Sequence, residues 1–247
     1  MKLVYSEVCA QGGRNNNQDY AYCRIQGDKA CFIVCDGLGA YYGSDMASKI
    51  CARAMGDGFI EHGDLSPGSI IALAEGAHNL IIENKGGNTF TNGACTTFAG
   101  VFTDNNRTII AHIGDSRVYR FVAGKIRHCT SDHSLAQLDV ENGFISRKDL
   151  RYHRDQNKLT RVLGGKKFIP PDIFIIDSPI GAYDSFLLCT DGFWEYVEEE
   201  EMENAMASES SSKKLLARLE KLLRSRAPEK SDNYTAVIVR AEREDGK

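Results

Sequence analysis

Short hydrophobic stretches recur along the chain, and most of them alternate with polar positions or end at turn-forming residues. This pattern is typical of strands in antiparallel sheets, where successive side chains point to opposite faces. The pattern predicts strands over Leu3–Ala10, Tyr20–Ile25, Ala30–Cys35, Ala94–Thr103, Arg107–Ile113, Val118–Val122, Lys125–Cys129, Ile173–Asp177, Ser185–Cys189 and Asn233–Arg240.

Helical spacing is confined to a few segments. Apolar residues recur every three or four positions within 46–54, 70–81 and 215–223, which places them on one face of a helix. Ser66-Pro67 supplies an N-cap and a first-turn proline for the second of these helices. Residues 131–168 are polar and mixed, which predicts short helices in a surface excursion.

The order of these elements favours an α+β fold. Strands come in consecutive runs and helices in pairs, so the helices are expected to pack over antiparallel sheets rather than alternate with parallel strands. No internal repeat or low-complexity linker interrupts the 247 residues. The sequence therefore predicts one domain over 1–247.

Composition and charge narrow the class of protein. Hydrophobic residues make up 42% of the chain and charged residues 26%, as in ordinary globular proteins. The net charge of −4 argues against non-specific binding of nucleic acid. No apolar run is long enough to span a membrane, and Glu7 interrupts the N-terminus before any signal-like core develops. We therefore expect a cytoplasmic protein without membrane or nucleic-acid partners.

The eight cysteines include no Cys-x-x-Cys pair, which disfavours a zinc ribbon or a thioredoxin-like site. Most of them lie in apolar runs such as Cys31–Cys35 and Phe186–Cys189. This placement favours buried, reduced thiols that act as small hydrophobic residues.

Five aspartates stand where a predicted strand meets a loop: Asp19, Asp36, Asp115, Asp191 and Asp232. An Asp-Gly after one strand is usually only a turn, but neighbouring strands would bring all five to one edge. Converged carboxylates repel one another unless a cation neutralises them. Since the chain has no clustered His/Cys set, these oxygen ligands favour Mg²⁺ or Mn²⁺ over zinc.

Arg14 lies five residues before Asp19, in a turn rich in glycine and asparagine. Taken alone it is an ordinary surface arginine. Beside a cluster of carboxylates and metal, its planar fork of donors suits a phosphate group. The combination points to phosphate ester chemistry.

From about Ser6 to Val239, the chain resembles the metal-dependent type 2C protein phosphatases in their compact bacterial form. The resemblance consists of short sequence motifs that occur in the same order as in the family. No single motif is specific, and the resemblance depends on the order of all of them. The motifs are Arg14–Asp19, Asp36–Gly39 with Ala47–Ser48, Gly93–Thr97, Ile113–Tyr119, Ser131–Ser134, Gly143–Ser146, Leu159–Gly164, Leu188–Gly192 and Ser231–Thr235.

The resemblance implies a four-layer αββα sandwich, two antiparallel sheets flanked by helix pairs, with two Mn²⁺ or Mg²⁺ ions at one end. The implied metal ligands are Asp19, Asp36, Asp191, Asp232 and the Gly37 carbonyl. A third, weaker ion in bacterial members would involve Asp115 and Asp191. Glu195, four residues after Asp191, is a further candidate for that ion, and Asn233 is a further site residue. Arg14 would hold the phosphate, and 131–168 would form a flap segment.

The implied reaction is direct hydrolysis. Two bridged cations make a hydroxide available near neutral pH, which attacks phosphorus in line while the metals and Arg14 neutralise the phosphoryl charge. No phosphoenzyme forms, so no cysteine is needed as a nucleophile. A cysteine phosphatase is disfavoured because only four residues separate Cys9 from Arg14, where its Cys-x5-Arg loop needs five.

Two departures from the family pattern bear on rate. Gln18 stands where the family usually has Glu. In the family this acid acts mainly through metal-bound water. Because glutamine lacks the negative charge, weaker metal binding is expected. Tyr41 stands where the family has a histidine proposed as a proton donor. A phenol of pKa about 10 is a poor acid at neutral pH, so an alkyl leaving group should suffer more than an aryl one.

We therefore expect a metal-dependent phosphatase for phosphoserine and phosphothreonine in proteins, monomeric and opposing a bacterial Ser/Thr kinase. Two alternatives stay open. A degenerate member, suggested by Gln18 and Tyr41, would bind a phosphoprotein or kinase without turnover. A hydrolase of small phosphate esters would share the same site.

Overall fold

The computed structural model describes residues 2–38, 43–85 and 93–242. Its strands are β1 (Lys2–Ala10), β2 (Asp19–Gln26), β3 (Lys29–Asp36), β4 (Phe98–Thr103), β5 (Thr108–Ile113), β6 (Arg117–Val122), β7 (Lys125–Cys129), β8 (Asp172–Ile176), β9 (Asp184–Cys189) and β10 (Tyr234–Glu242). Its α-helices are α1 (Ser44–His62), α2 (Pro67–Asn84), α3 (Leu135–Glu141), α4 (Asp191–Trp194), α5 (Glu199–Ser208) and α6 (Ser212–Arg226).

The strands form two five-stranded antiparallel sheets. Sheet A has the order β1-β10-β9-β6-β7, and sheet B has the order β2-β3-β4-β5-β8. One hydrophobic cluster fills the space between the sheets. A second lies between sheet B and the pair α1 and α2, and a third between sheet A and the pair α5 and α6. These four layers confirm the predicted α+β sandwich.

Strand β3 shows why some apolar runs are continuous rather than alternating. Cys31, Ile33 and Cys35 pack toward the helices over sheet B, whereas Phe32 and Val34 pack toward sheet A. Side chains alternate across a strand, so a strand buried on both faces needs hydrophobic residues at every position.

Capping residues set where the helices begin. The Ser66 hydroxyl accepts a hydrogen bond from the Ser69 N–H at 3.2 Å, and Pro67 occupies the first turn of α2 as predicted. Glu198 and Glu201 form a capping box at the start of α5. None of the helices in the described ranges combines the length and apolar composition needed to cross a bilayer.

The flap, residues 131–168, contains α3 and a 3-10 turn over Leu150–Tyr152, which agrees with the short helices predicted there. The structure differs from prediction just before β4. The predicted strand begins at Ala94, but regular pairing begins only at Phe98. Thr96 instead forms isolated bridges to Gly37 and to Leu163 at the end of the flap, so this stretch connects the flap to the sheet.

Candidate active site

The antiparallel register brings strand ends of both sheets together. Asp19 begins β2 directly opposite Asp36, which ends β3. In sheet A, Asp191 follows β9, and Asp232 precedes its neighbour β10. The Thr190 hydroxyl donates to Asp19 Oδ2 at 2.8 Å, which ties the end of sheet A to the end of sheet B. The four aspartates therefore share one end of the sandwich.

Asp115 joins this cluster from the turn between β5 and β6 and is 3% exposed. Burial, and then the charges of Asp191 and Asp132, raise the pKa of its carboxyl well above the usual range. The Trp194 indole donates to the Asp115 carbonyl at 2.9 Å. The backbone of Asp115 is thereby attached to α4, the helix that begins with Asp191.

Electrostatics show how strongly the carboxylates oppose one another. Burial together with the charges of Asp191 and Asp232 raises the pKa of Asp19 to about 7. Burial and the Asp232 charge raise the pKa of Asp191 to about 6. Burial and the Asp19 charge raise the pKa of Asp36 well above the usual range. Groups held this way are stabilised by a cation placed among them.

One oxygen in the cluster tests whether these residues fit a cation. Asp19 Oδ1 is buried and meets no hydrogen-bond donor at bonding distance among the described residues, although the Thr235 hydroxyl lies nearby. Buried polar atoms are nearly always paired. An unpaired, buried carboxylate oxygen among other carboxylates is a ligand that Mg²⁺ or Mn²⁺ satisfies, so the donor set fits a divalent metal.

Arg14 lies at the rim of the same cluster. Its Nε and Nη2 donate to the two Asp232 oxygens at 2.9 Å and 2.5 Å. This bidentate pair is half exposed, so the guanidinium borders both solvent and the acidic cluster. The structure thus brings the predicted phosphate-binding arginine to the predicted metal ligands.

Asn233 is a structural tie between the two loops. Its amide donates to the carbonyls of Gln11 and Asn16 at 2.7 Å and 2.9 Å and accepts from the Gln18 N–H at 2.9 Å. These bonds hold the loop with Arg14 against the loop with Asp232. Its role in the structure is to fasten backbone rather than to face the acidic cluster directly.

Close backbone approach explains two glycines near the site. A Cβ on Gly12 would lie 2.0 Å from the Asp232 carbonyl oxygen, and Gly12 has a φ of +59°. A Cβ on Gly192 would lie 2.0 Å from the Asn233 carbonyl oxygen. Gly12 lets the loop before β2 approach the loop before β10, and Gly192 lets helix α4 approach that same loop. Only glycine allows backbones to meet this closely.

The remaining predicted residues take varied positions. The Gln18 carbonyl accepts from the Gly37 N–H at 3.1 Å and from the Ser48 hydroxyl at 2.6 Å, so its backbone holds the turn after β3. Glu195 is partly buried, and burial with the charges of Asp191 and Asp232 raises its pKa to about 8. Tyr41 lies outside the described residues.

A second group of polar side chains lies at the base of the flap. His112, His133 and Asp172 offer atoms within 4.8 Å of one another. Each side chain already has a polar partner: His133 Nε2 lies 3.2 Å from Asp172 Oδ2, His112 Nε2 lies 2.7 Å from the Ser131 carbonyl, and Arg161 donates to Asp172 Oδ1 at 2.7 Å. These contacts anchor the flap to β5 through His112 and to β8 through Asp172.

Sequence reasoning missed the side chains that support the site. Thr190 stands directly before the predicted ligand Asp191, a position that could have marked it as a partner. Arg151 gave no such signal, because one basic residue in a polar stretch does not reveal what it contacts. Helix α4 was also missed: the sequence around Asp191-Gly192 predicts only a turn, and four residues are too few for a periodic pattern.

The site and fold together define a class of metal-dependent phosphatase. A model of the family described as protein phosphatase 2C matches residues 10–232. Since this is most of the chain, the chain belongs to the protein phosphatase 2C family.

Named relatives agree with this membership. The serine/threonine phosphatase Stp of Listeria welshimeri is 31% identical over 184 residues, which is 72% of each chain. Serine/threonine phosphatase Stp1 from Staphylococcus aureus has the same fold, with a TM-score of 0.87 and 24% identity over 98% of this chain and 96% of that one. The catalytic domain of the phosphatase PstP, in complex with two manganese ions, has a TM-score of 0.81 and 25% identity over 96% and 97% of the two chains.

The chain is therefore a metal-dependent protein-serine/threonine phosphatase, and it acts on phosphoproteins. The relatives are named as enzymes, and nothing in the comparisons favours the alternative of a degenerate binding module.

Proposed function

We propose that the chain removes phosphate from phosphoserine and phosphothreonine by direct attack of water-derived hydroxide, at a site built on Asp19, Asp36, Asp191 and Asp232. The observation that carries the proposal is the unpaired, buried Asp19 Oδ1 within a cluster of mutually repelling carboxylates. Such a cluster costs stability unless cations fill it.

The four aspartates and the Gly37 carbonyl would hold two divalent cations, with Mn²⁺ or Mg²⁺ suited to these oxygens. Asp115 and Asp191, with Glu195 nearby, would hold a third. When bound, the cations lower the pKa of a water and neutralise charge on the phosphoryl oxygens. The protein supplies the fixed oxygen ligands that hold this arrangement.

Arg14 would bind the phosphoryl group. Its guanidinium is already oriented by Asp232 through two hydrogen bonds, so little freedom is lost when a substrate arrives. Two of its N–H groups can match two phosphate oxygens. Arg14 would thereby turn the phosphorus toward the acidic cluster.

Release of the serine or threonine alkoxide needs a proton. Tyr41 stands where a proton donor is expected, and a phenol is weakly acidic at neutral pH. We therefore expect faster turnover of aryl phosphates than of phosphopeptides. Gln18, which keeps a carbonyl but lacks a charge, should weaken metal binding.

The proposed biological setting is consistent with the chemistry and composition. The chain would act in signalling as a monomeric, cytoplasmic, single-domain enzyme that opposes a Ser/Thr kinase. Its net charge of −4 and the absence of a long apolar run agree with a protein free of nucleic acid and membrane.

The test is release of phosphate from an aryl phosphate and from a phosphothreonine peptide, measured with EDTA, Mg²⁺ or Mn²⁺. Asp191→Ala serves as the inactive control. Turnover of both substrates that requires metal and is lost in the control is the expected result. Turnover of small phosphate metabolites with none of the peptide would instead favour the small-ester hydrolase.

A further inference from the structure

Two buried arginines flank the short helix α4. Arg117 is the first residue of β6, two positions after Asp115, and Arg151 lies in the 3-10 turn of the flap. Their side chains are only 4% and 6% exposed. A buried guanidinium is costly unless its N–H groups are paired, so its partners identify what it holds together.

Arg117 connects the start of the flap to α4. Its Nε and Nη2 donate to the two oxygens of Asp132 at 2.8 Å and 2.7 Å. Its guanidinium also lies over the Trp194 ring, 3.5 Å from the ring centre, a favourable cation–π contact in a buried setting.

Trp194 links two of the proposed metal-binding aspartates. It is the last residue of α4, whose first residue is Asp191. Its indole N–H donates to the Asp115 carbonyl at 2.9 Å. Any displacement of Trp194 therefore moves α4 relative to Asp115.

Arg151 reaches the same helix from the flap. Its Nη1 donates to the carbonyls of Trp194 at 2.7 Å and Val197 at 3.3 Å. The Trp194 carbonyl stands at the end of α4, where carbonyls lack partners within the helix itself, and Val197 lies between α4 and α5. Its Nη2 donates to Glu199 at 2.5 Å, and Glu199 also accepts from the Tyr119 hydroxyl at 3.1 Å.

A second flap contact lies one residue beyond α4. Gln156 Nε2 donates to Glu195 Oε1 at 2.7 Å. The flap thus holds α4 in two ways. The buried Arg151 guanidinium bonds to the backbone at the end of the helix, and the Gln156 amide bonds to Glu195, the next residue.

We propose that Arg151 is a positioning residue for the phosphatase reaction: by seating the flap on α4, it fixes Asp191 and, through Trp194, Asp115. The inference rests on the proposed function, because it takes these aspartates to hold cations. Flap seating and cation binding are then coupled, and a coupling between two events acts in both directions. Some residues do not bind the metal themselves but hold its ligands in position through hydrogen bonds. Their loss commonly weakens metal affinity roughly 10- to 100-fold.

The chain offers a direct probe of this coupling. It has a single tryptophan, Trp194, so tryptophan fluorescence reports on the contact between Arg117, Arg151 and α4 alone. We would titrate wild-type protein, Arg151→Met, Arg151→Lys and Arg154→Met with Mg²⁺, recording tryptophan fluorescence and the heat of binding. Mg²⁺ is chosen because it does not quench fluorescence as a paramagnetic ion does. Arg154 lies three residues further along the flap but is 88% exposed, which makes it a matched control.

The expected result is a roughly tenfold higher Mg²⁺ concentration at half-saturation for Arg151→Met, with an altered Trp194 spectrum. Arg151→Lys should recover part of the Mg²⁺ affinity. The lysine ammonium can still donate to one carbonyl, but it lacks the planar set of donors that lets a guanidinium bond to several acceptors at once. Arg154→Met should match wild type. With an aryl phosphate and Mg²⁺ below saturation, Arg151→Met should lower kcat more than it raises KM.

A lower melting temperature in Arg151→Met, with a wild-type Mg²⁺ titration and Trp194 spectrum, would assign Arg151 a structural role and overturn the proposal. If Arg151→Met does not fold, Arg151→Lys takes its place. A Mg²⁺ titration of Arg151→Lys that is indistinguishable from that of the wild type would then overturn the proposal. Failure of the proposed function is recognised separately: wild-type protein would release no phosphate, while the Mg²⁺ response of Trp194 would still report on the contact.

Discussion

At the residue scale, Asp19 shows how the site is built at a cost in stability. One of its oxygens accepts from Thr190 and the other is buried without a donor among the described residues. Burial and neighbouring acids raise the pKa of Asp19 to about 7. In metal-free protein its charged form is therefore unfavourable at neutral pH, and this destabilisation grows as pH rises from about 4 toward 7.

Asp19→Asn should separate stability from function. The amide keeps an acceptor for Thr190 but removes a charge, so we expect the metal-free protein to gain about 1 kcal/mol, or roughly 2–4 °C in melting temperature, at neutral pH. Mn²⁺-dependent phosphate release should fall at least about a hundredfold. Thermal melts with EDTA and steady-state kinetics with Mn²⁺ measure both effects.

Asp177→Asn is the matched surface control, because its side chain is 78% exposed. It should change neither the melting temperature nor the rate appreciably. Full activity in Asp19→Asn would show that Asp19 does not hold a cation that the reaction needs.

At the element scale, the junction of α4 with the loop before β10 has no room for a side chain at Gly192. We expect Gly192→Ala to lower both the melting temperature and the affinity for Mn²⁺, because its Cβ would meet the Asn233 carbonyl at 2.0 Å. Gly76→Ala, on the exposed face of α2 with open space around it, should instead stabilise the protein by about 0.5–1 kcal/mol. The melting temperatures of the two variants should therefore change in opposite directions, and only Gly192→Ala should weaken Mn²⁺ binding. Equal melting temperatures and equal Mn²⁺ titrations would show that the junction tolerates a side chain at Gly192.

The base of the flap should respond to acid through His112. Burial and the stacked His133 lower the pKa of His112 from the usual 6.5 to about 4. A lowered folded pKa means that stability is present above pH 6.5 and is lost as pH falls toward 4. The neutral ring also contacts the Ser131 carbonyl at 2.7 Å, where the flap begins.

His112→Gln removes this titration. The melting temperature of wild type should fall relative to the variant between pH 6.5 and 4 and run parallel to it above that range. His62→Gln, whose side chain is 83% exposed, should leave the wild-type pH profile unchanged. Parallel profiles of wild type and His112→Gln over the whole range would show that His112 does not control acid stability.

The strands were largely predictable because both sheets keep a regular pattern. The predicted β7 agrees with Lys125–Cys129 in full, and the predicted β9 begins one residue after Asp184. The order of the strands in each sheet could not be predicted from hydrophobic periodicity. Periodicity indicates which residues are buried, but it does not identify the neighbours of a strand. Helix α4 and the path of residues 93–97 depend on contacts with distant loops, so local sequence could not reveal them.

The same limit applies to the candidate site. Five aspartates at strand ends were visible in the sequence, and the register places them at one end of the sandwich. The supporting contacts of Arg151 and Asn233 were not, since each joins segments far apart in the chain. The assignment of individual aspartates to cations stays a prediction.

At the scale of the whole molecule, the proposed cations would join the two sheets. Asp19 and Asp36 belong to sheet B, whereas Asp191 and Asp232 flank strands of sheet A. Ligands that bind only the folded state stabilise it by mass action. Occupied cation sites should therefore hold the sandwich closed at this end.

We expect EDTA to lower the melting temperature at neutral pH and an excess of Mn²⁺ to raise it. The effect should shrink toward pH 5, because Asp19 and Asp191, with pKa values of about 7 and about 6, become protonated and release the cations. Thermal melts over this pH range test the prediction. A Mn²⁺ effect that is equal at pH 5 and pH 8 would point to ligands other than these carboxylates.

The most direct measurement is a crystal structure of the protein with Mn²⁺, using anomalous scattering to locate the ions. Two anomalous peaks are expected among Asp19, Asp36, Asp191 and Asp232, with any third beside Asp115 and Asp191. No peak in this cluster at saturating Mn²⁺, or ions bound only at His112, His133 and Asp172, would contradict it.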